Sequence, residues 1–139
     1  MTQFSANLGF LWSNLPLPDA IRAAAKAGFS AVECHWPYAC DAAEVKAALQ
    51  DTGLRMLSLN TNRGDVAGGE NGLSALPGRE ADARAAINQA LAYADAVDAG
   101  AIHVMAGFAV GPEARATFIA NLQYACDGAV HRTILIEPL

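Results

Sequence analysis

The feature that most constrains this sequence is a repeated unit, in which a helical segment ends in glycine and an apolar, strand-like run begins within two residues. Clear copies are centred on Gly28, Gly53 and Gly100, and Gly128 marks a looser fourth copy. Glycine readily adopts the left-handed conformation that ends a helix. A helix that recurs before each short apolar run is the pattern of βα units wound into a parallel sheet.

Hydrophobic periodicity predicts five strands that alternate with four helices. The predicted strands are Phe4–Phe10, Ala31–His35, Arg55–Asn60, Ala101–Met105 and Thr133–Glu137. The predicted helices begin near Pro18, Asp41, Arg79 and Glu113. A long glycine-rich loop, Thr61–Gly78, separates the third strand from the third helix.

Right-handed βα crossovers place successive parallel strands side by side. Five such strands are a little more than half of an eight-stranded barrel, which typically takes about 250 residues. We therefore predict one domain over residues 1–139, with an α/β fold that forms a partial (β/α)8 TIM barrel, the N-terminal half-barrel. Such a sheet leaves one face and two edges uncovered. Three arrangements remain open at this point: a fragment of a longer barrel, a homo-oligomer through the open sheet face, and a doubly wound sheet.

Composition argues against several classes of partner. The net charge is −5 and no block of Lys or Arg occurs, which argues against nucleic acid and against an anionic membrane surface. We expect no signal peptide, and no apolar run approaches the roughly 20 residues of a membrane span. Cys34, Cys40 and Cys126 are odd in number and form no CxxC pair, so we expect reduced thiols in a cytoplasmic protein.

The last predicted strand carries the most informative residue. Its apolar run passes through Ile136 directly into Glu137, and Pro138 ends the strand. We expect this strand to be buried on both faces, where a carboxylate is costly unless it is paired, often with a metal ion. Because side chains alternate along a strand, Glu137 lies on one face and Ile134 and Ile136 lie on the other. The two isoleucines are expected to face the helices, so Glu137 is expected to point into the barrel, where active sites of such folds lie. A solvated carboxylate is the alternative.

Three more polar residues lie in or at the ends of predicted strands. Glu33 could hold a substrate hydroxyl or pair with an Arg. His103 has apolar neighbours, so a hydrogen-bonded core histidine is the alternative to a role in a polar site shared with the two glutamates. Asn7 lies where Asn is disfavoured, so either a polyhydroxy substrate or a turn must satisfy its amide.

Two loop residues complete the candidate set. Tyr38 belongs to the run Trp36-Pro37-Tyr38, which predicts either an aromatic wall over a sugar-sized pocket or simple packing under a loop. Glu70 is the acid of the run Gly68-Gly69-Glu70-Asn71-Gly72 in the glycine-rich loop. Because this loop lacks the GK[ST] ending of a phosphate-binding loop, we interpret it as a flexible lid.

Several short motifs together resemble the hydroxypyruvate isomerases, a family of xylose isomerase-like TIM barrels, and the resemblance covers nearly the whole chain in order. The motifs that carry it are Phe4-Ser5-Ala6-Asn7-Leu8, Gly28-Phe29-x-x-Val32-Glu33, Pro37-Tyr38, Gly64-Asp65, Gly69-Glu70-x-Gly72-Leu73, Leu76-Pro77-Gly78-Arg79, His103-Val104-Met105-Ala106-Gly107, Asn121-Leu122 and Ile134-Leu135-Ile136-Glu137-Pro138.

The resemblance implies a metal-assisted aldose–ketose isomerisation that interconverts hydroxypyruvate and tartronate semialdehyde, or acts on a related small sugar acid. It implies that Mg²⁺ or Mn²⁺ binds the substrate oxygens and stabilises an enediolate while two glutamates move the proton. Glu137 matches the first glutamate, as metal ligand and acid/base. His103 matches a histidine that contacts substrate oxygens, and Glu33, Tyr38 and Glu70 match positions that line the pocket or its lid.

The sequence departs from that family in one respect. The remaining metal ligands and the second catalytic glutamate come from later strands, which residues 1–139 do not include. We therefore expect this chain alone to be inactive and to bind metal weakly. Two other interpretations stay open: a non-catalytic βα half-barrel that self-associates, and an endonuclease-IV-like metal-dependent barrel, against which the acidic charge counts.

Overall fold

The computed structural model describes residues 2–138. Residues 1 and 139, which the predicted domain includes, lie outside the described part. Residues 2–138 contain six strands, in the order β1 (Ser5–Asn7), β2 (Ala31–Glu33), β3 (Arg55–Met56), β4 (Ser58–Asn60), β5 (Ala101–His103) and β6 (Thr133–Leu135). In the same described range, four α-helices lie between strands: α1 (Leu17–Lys26), α2 (Ala42–Thr52), α3 (Glu80–Val97) and α4 (Pro112–Gly128). A 3-10 turn covers Pro37–Ala39.

The strands form two three-stranded sheets, with the orders β1–β2–β3 and β4–β5–β6. In the first sheet both pairings are parallel, and the register places Asn7 opposite Glu33. The predicted third strand is interrupted at Leu57, which separates β3 from β4. The described chain divides into two compact units, one running up to Leu59 together with Tyr93–Ala101, the other comprising Asn60–Ala92 and the chain from Ile102 onward. The single predicted domain stays a prediction.

The first unit is built from β1, β2, β3, α1 and α2. The two helices pack against each other, and the apolar side chains of Ile21, Val32 and Val45 are fully buried. Complete burial of such a side chain stabilises a fold by roughly 1.5–3 kcal/mol. The predicted start of the second helix near Asp41 is confirmed, and the Asp41 carboxylate caps the helix by accepting a hydrogen bond from Ala43 N at 2.8 Å.

The described residues of the second unit form an apolar core that contains four buried polar side chains. Ile87, Ile102 and Val104 are among its buried apolar residues. The buried polar residues are Thr61, Ser74, His103 and Asn121. A buried polar group is costly unless it is hydrogen-bonded. Apolar packing therefore does not account for these four residues, and their hydrogen-bond partners are described below.

The repeated glycines play two different roles. Gly28 and Gly53 have φ of 89° and 71°, so the predicted left-handed stops are confirmed there. The prediction is wrong at Gly100, because Asp98 takes the positive φ, 57°, at the end of α3. Gly100 instead lies in a close approach of two backbone segments, since a Cβ there would lie 3.3 Å from Leu57 O, a tight contact. Gly128 is likewise not a left-handed stop. It ends α4, and a Cβ there would lie 2.7 Å from the side chain of Leu91.

Strand ends differ from the predictions where the backbone turns early. The first strand ends at Asn7, since Phe10 N and Leu11 N both donate to Asn7 O and close a turn. The last strand ends at Leu135, and its burial on both faces was predicted wrongly. Its residues are exposed, half-buried and exposed in turn, and Ile136 is 60% exposed. The physical reason is that β6 is the edge strand of its sheet among residues 2–138.

No helix in the described part of the chain combines the length and the apolar character needed to cross a membrane.

Candidate functional site

His103 and Glu137 lie together at the carboxyl ends of β5 and β6. His103 is the last residue of β5 and is buried, whereas the Glu137 side chain is 64% exposed. Glu137 Oε2 lies 3.8 Å from His103 Nδ1, which is close enough for a charge interaction and longer than a hydrogen bond. An accessible carboxylate beside an imidazole can accept a proton from a bound molecule and return it. The 3.8 Å separation confirms the predicted proximity of His103 and Glu137, whereas the predicted membership of Glu33 in the same site stays a prediction.

A chain of hydrogen bonds holds the segment that carries His103. Thr61 N donates to His103 O at 2.9 Å, and Met105 N donates to Thr61 Oγ1 at 3.0 Å. On the other side, Ser74 N donates to Met105 O at 3.2 Å, and Asn121 Nδ2 donates to Ser74 O at 2.9 Å. Sequence reasoning missed Thr61 and Asn121 as members of this site. For Thr61, the one available signal was its position as a polar residue directly after the predicted strand Arg55–Asn60.

A second polar group lies in the first unit, at the carboxyl ends of β1 and β2. Glu33 is half-buried, and its Oε2 accepts a hydrogen bond from Ser58 Oγ at 3.2 Å. Asn7, opposite Glu33 in the register, uses its Oδ1 to accept from Gly9 N at 2.9 Å. Asn7 therefore forms the turn that was its alternative reading, and its substrate contact stays a prediction. Ser58 was not anticipated from the sequence.

Tyr38 packs against Tyr93, with ring centroids 5.7 Å apart and the rings edge to face. Burial, with smaller contributions from Cys34 and Tyr93, raises the pKa of the Tyr38 hydroxyl. Tyr93 Oη donates to Cys40 O at 3.2 Å and fixes the loop after β2. Tyr38 is thus a neutral hydroxyl on a packed aromatic ring, and its predicted contact with substrate stays a prediction.

Cys34 gives this region a pH dependence that can be measured. Burial, followed by the nearby Glu33 and Cys40, raises the pKa of the Cys34 thiol from 9.0 to about 12. Because the folded pKa lies above the unfolded value, the resulting stability is complete below pH 9 and is lost as the pH rises toward 12. Between pH 8 and pH 10.5 we expect the parent chain to lose about 2 kcal/mol more of its free energy of unfolding than Cys34→Ser.

Urea titrations at the two pH values measure this difference. Cys126→Ser removes an exposed thiol and serves as the matched control, for which we expect the pH dependence of the parent chain. Identical pH dependence in Cys34→Ser and in the parent chain would contradict the assignment. The remaining alkaline loss in Cys34→Ser is expected from Tyr38 and Tyr93, whose pKa values are also raised by burial.

The Glu70 carboxylate contacts residues of its own loop and the residue that precedes α3. Its Oε2 accepts a hydrogen bond from Asp65 N at 2.6 Å, and its carboxylate pairs with the Arg79 guanidinium. Arg79 also donates to Asp82 Oδ2 at 2.7 Å. The Asp65–Glu70 hydrogen bond joins the two ends of the segment 65–70, and the ion pair connects this segment to Arg79, directly before α3. The prediction that Glu70 contacts a substrate from a lid remains a prediction.

A cavity of about 260 Å³ lies in the first unit, between the loops that follow β1 and β2. Its lining includes Gly9, Cys34, His35 and Trp36. Gly9 is required there, because a Cβ would lie 2.1 Å from the His35 ring. Trp36 lines this cavity and Tyr38 does not, and the aromatic wall over a sugar-sized pocket stays a prediction.

The described residues supply only part of a metal site. Among residues 2–138 no group of three or more His, Cys, Asp or Glu side chains could hold a metal ion. Glu137 offers one accessible carboxylate, whereas Mg²⁺ requires about six oxygen ligands in octahedral geometry. The side chains described here therefore do not fit a complete divalent cation site.

Comparison with known proteins gives a consistent pattern. The sequence model of the xylose isomerase-like TIM barrel family matches residues 21–139. A 2-oxo-tetronate isomerase from Cupriavidus necator is 44% identical over all of this chain and 56% of its own length. A putative hydroxypyruvate isomerase from Xenopus laevis is 40% identical over 99% of this chain and 54% of its own length.

A solved structure from Brucella melitensis, described as an AP endonuclease of family 2, superposes with a TM-score of 0.92 at 38% identity. The superposition covers 100% of this chain and 56% of that one. The chain thus spans about half the length of the curated relatives that it matches.

Proposed function

Because the chain belongs to the xylose isomerase-like TIM barrel family, we propose that it supplies the N-terminal part of an aldose–ketose isomerase. The predicted partial barrel is confirmed, since the whole described fold superposes on about half of a related solved structure. The proposed substrate is hydroxypyruvate, tartronate semialdehyde or a related small sugar acid. Relatives named as isomerases of such compounds support this choice.

The observation that carries the proposal is the placement of Glu137 beside His103. In the proposed reaction, the hydroxyl-bearing carbon loses a proton, the neighbouring carbonyl carbon gains one, and the hydroxyl proton passes to the former carbonyl oxygen, so that the carbonyl and the hydroxyl exchange places. Glu137, accessible and 3.8 Å from the imidazole, would hold the proton on a carboxylate oxygen. His103, fixed at the end of β5, would orient a substrate oxygen. The polar side chains of Asn7, Glu33 and Tyr38 are proposed to contact the substrate hydroxyls, and Glu70 to act from the loop.

A divalent cation, Mg²⁺ or Mn²⁺, is part of the proposal, with Glu137 as one of its ligands. Carboxylate oxygens suit both ions. The other ligands would come from the part of the relatives that this chain does not span. In the proposed proton transfer, this chain would supply Glu137, and the second glutamate would also come from the part of the relatives that this chain does not span. A cytoplasmic location is also proposed, and the free thiols of Cys34, Cys40 and Cys126 support it.

We expect residues 1–139 alone to show no turnover of hydroxypyruvate with or without Mn²⁺, and Mn²⁺ to bind only at millimolar concentration or weaker. The reason is that one carboxylate replaces too few of the water ligands of the ion. Isothermal titration with Mn²⁺ and a coupled assay for tartronate semialdehyde measure the two quantities. Metal-dependent turnover by the purified 139-residue chain would contradict this expectation.

A fusion tests the function itself. Residues 1–139 are joined to the remaining part of the Cupriavidus necator relative, which is 44% identical over the shared region. We expect the fusion to isomerise hydroxypyruvate or a 2-oxo-tetronate in the presence of Mn²⁺. A folded fusion that is inactive on both compounds would count against the proposal.

A nuclease is the second candidate, because the Brucella melitensis structure is described as an AP endonuclease. The net charge of −5 disfavours binding to a phosphate backbone. The same fusion is therefore assayed on duplex DNA with one abasic site, and incision there without isomerase activity would favour this candidate.

Self-association through the open sheet face is the non-catalytic alternative. Leu135 and Ile136, which are 37% and 60% exposed at the edge strand β6, are the residues that would be covered. Sedimentation of the 139-residue chain separates the cases, because a monomer at all concentrations would exclude this alternative and a discrete dimer would support it.

A further inference from the structure

Thr61 stands in an unusual position relative to the strand that carries His103. β4 ends at Asn60, and Thr61 follows it with a side chain that is only 1% exposed. Thr61 N donates to His103 O at 2.9 Å, and Thr61 Oγ1 accepts from Met105 N at 3.0 Å. Thr61 thus makes hydrogen bonds to both ends of the segment 103–105.

In a regular parallel ladder, a residue donates its N–H to one residue of the neighbouring strand and accepts with its own C=O from the residue two positions on. Here the donated bond is regular, but the acceptor is the Thr61 hydroxyl in place of a carbonyl. The hydroxyl therefore extends the pairing of β5 by one step beyond the point where β4 ends. Valine has the same shape as threonine but has no oxygen to accept this bond.

The pairing fixes the backbone that determines the direction of the imidazole. His103 O and Met105 N are held by Thr61, and Met105 O is held from the opposite side by Ser74 N. With both neighbours of Val104 restrained, the backbone at His103 is restrained as well. The rotamers open to a side chain depend on its backbone, so these hydrogen bonds restrict the directions that the imidazole can take.

We propose that Thr61 is a positioning residue, whose hydroxyl fixes the His103 imidazole beside Glu137. This inference rests on the proposed function for its catalytic meaning, although the geometry it describes can be tested without activity. Asn121 supports the same segment from α4 through Ser74 O at 2.9 Å, but it reaches His103 only through two intervening residues.

The first test uses the 139-residue chain and two variants, Thr61→Val and Thr61→Ser. In Thr61→Val we expect amide hydrogen exchange at Met105 N to accelerate at least about tenfold, because its acceptor is lost. We also expect the His103 ring resonances to shift. Thr61→Ser keeps the oxygen, so its exchange rate and ring resonances should match those of the parent chain.

Thr52→Val is the matched control, because it removes the hydroxyl of a second threonine, which is partly buried in α2 and donates to Ala48 O at 2.7 Å. We expect this control to leave the Met105 exchange rate and the His103 resonances unchanged. Parent-like values in a folded Thr61→Val chain would overturn the proposal. If Thr61→Val does not fold, Thr61→Ala takes its place. Loss of fold in both, with Thr61→Ser folded, would mean a purely structural hydroxyl and would also overturn it.

The second test carries the same variants into the fusion. A positioning role predicts that Thr61→Val lowers kcat about tenfold or more with less than a twofold change in KM, and that Thr61→Ser restores it. A purely structural role predicts a lower amount of active enzyme with unchanged kcat per folded molecule. An inactive parent fusion would refute the proposed function, while the exchange and resonance results would still decide the role of Thr61.

Discussion

Replacing Glu137 by Gln in the active fusion is expected to lower kcat by about 10²–10⁴, the range that a positioned acid/base contributes. Glutamine preserves the shape of the side chain but cannot accept a proton, and its neutral oxygen is a weaker ligand for a cation. KM should change little, because Glu137 is expected to act mainly in the transition state. Steady-state kinetics with hydroxypyruvate at saturating Mn²⁺ measure both constants.

Glu113→Gln provides the control for this change. Glu113 is an exposed acid in the first turn of α4, so the same substitution there removes a charge without touching the candidate site. We expect its kcat to stay within a factor of two of the parent fusion. A Glu137→Gln enzyme that retains more than a tenth of parental kcat would show that another group moves the proton.

The second large effect is expected from Gly107→Ala, which should lower the free energy of unfolding of the 139-residue chain by about 3–5 kcal/mol. A Cβ on Gly107 would lie 2.2 Å from Gly72 O and 2.8 Å from Gly72 C, which are backbone atoms that cannot rotate away. Gly107 also has φ of 86°, which strains any residue with a side chain. Overpacking and backbone strain each cost about 1–3 kcal/mol. Urea denaturation followed by circular dichroism measures the change.

Gly69→Ala separates the two causes. Gly69 has φ of 93°, close to that of Gly107, but a Cβ there would meet no atom within 4 Å. We expect this variant to lose only about 1 kcal/mol, the strain term alone. Equal losses in the two variants would mean that the contact between Gly72 and Gly107 does not restrain the fold.

That contact also explains why the glycine-rich loop has structure at its second half. Gly72 forms an antiparallel bridge with Ala106, and Ala75 N donates to Ala106 O at 2.8 Å. The second half of the loop is therefore hydrogen-bonded through its backbone to the motif His103-Val104-Met105-Ala106-Gly107. From the sequence alone, Gly72 and Gly107 were read as separate parts of two motifs.

The alternation of helices and strands was predictable because its signals are local. The Asp41 cap and the Gly53 stop each depend on a few consecutive residues, and both lie where the sequence indicated. Gly100 failed the same rule because its role is a close approach to Leu57 O, a residue far away in the chain. Local rules can recognise the conformation of a residue, but they cannot recognise which distant atom lies next to it.

By itself, the sequence determined the βα alternation and the partial barrel, and it placed His103 and Glu137 in the last two predicted strands, since hydrophobic periodicity and helix stops are local signals. Only the structure ended β5 at His103. Only the tertiary structure established the 3.8 Å separation of their side chains, the use of the Thr61 hydroxyl as a ladder acceptor and the close contact of Gly72 with Gly107. Each of these joins residues that are far apart in sequence. Such contacts depend on register and packing, which no short stretch of the chain encodes.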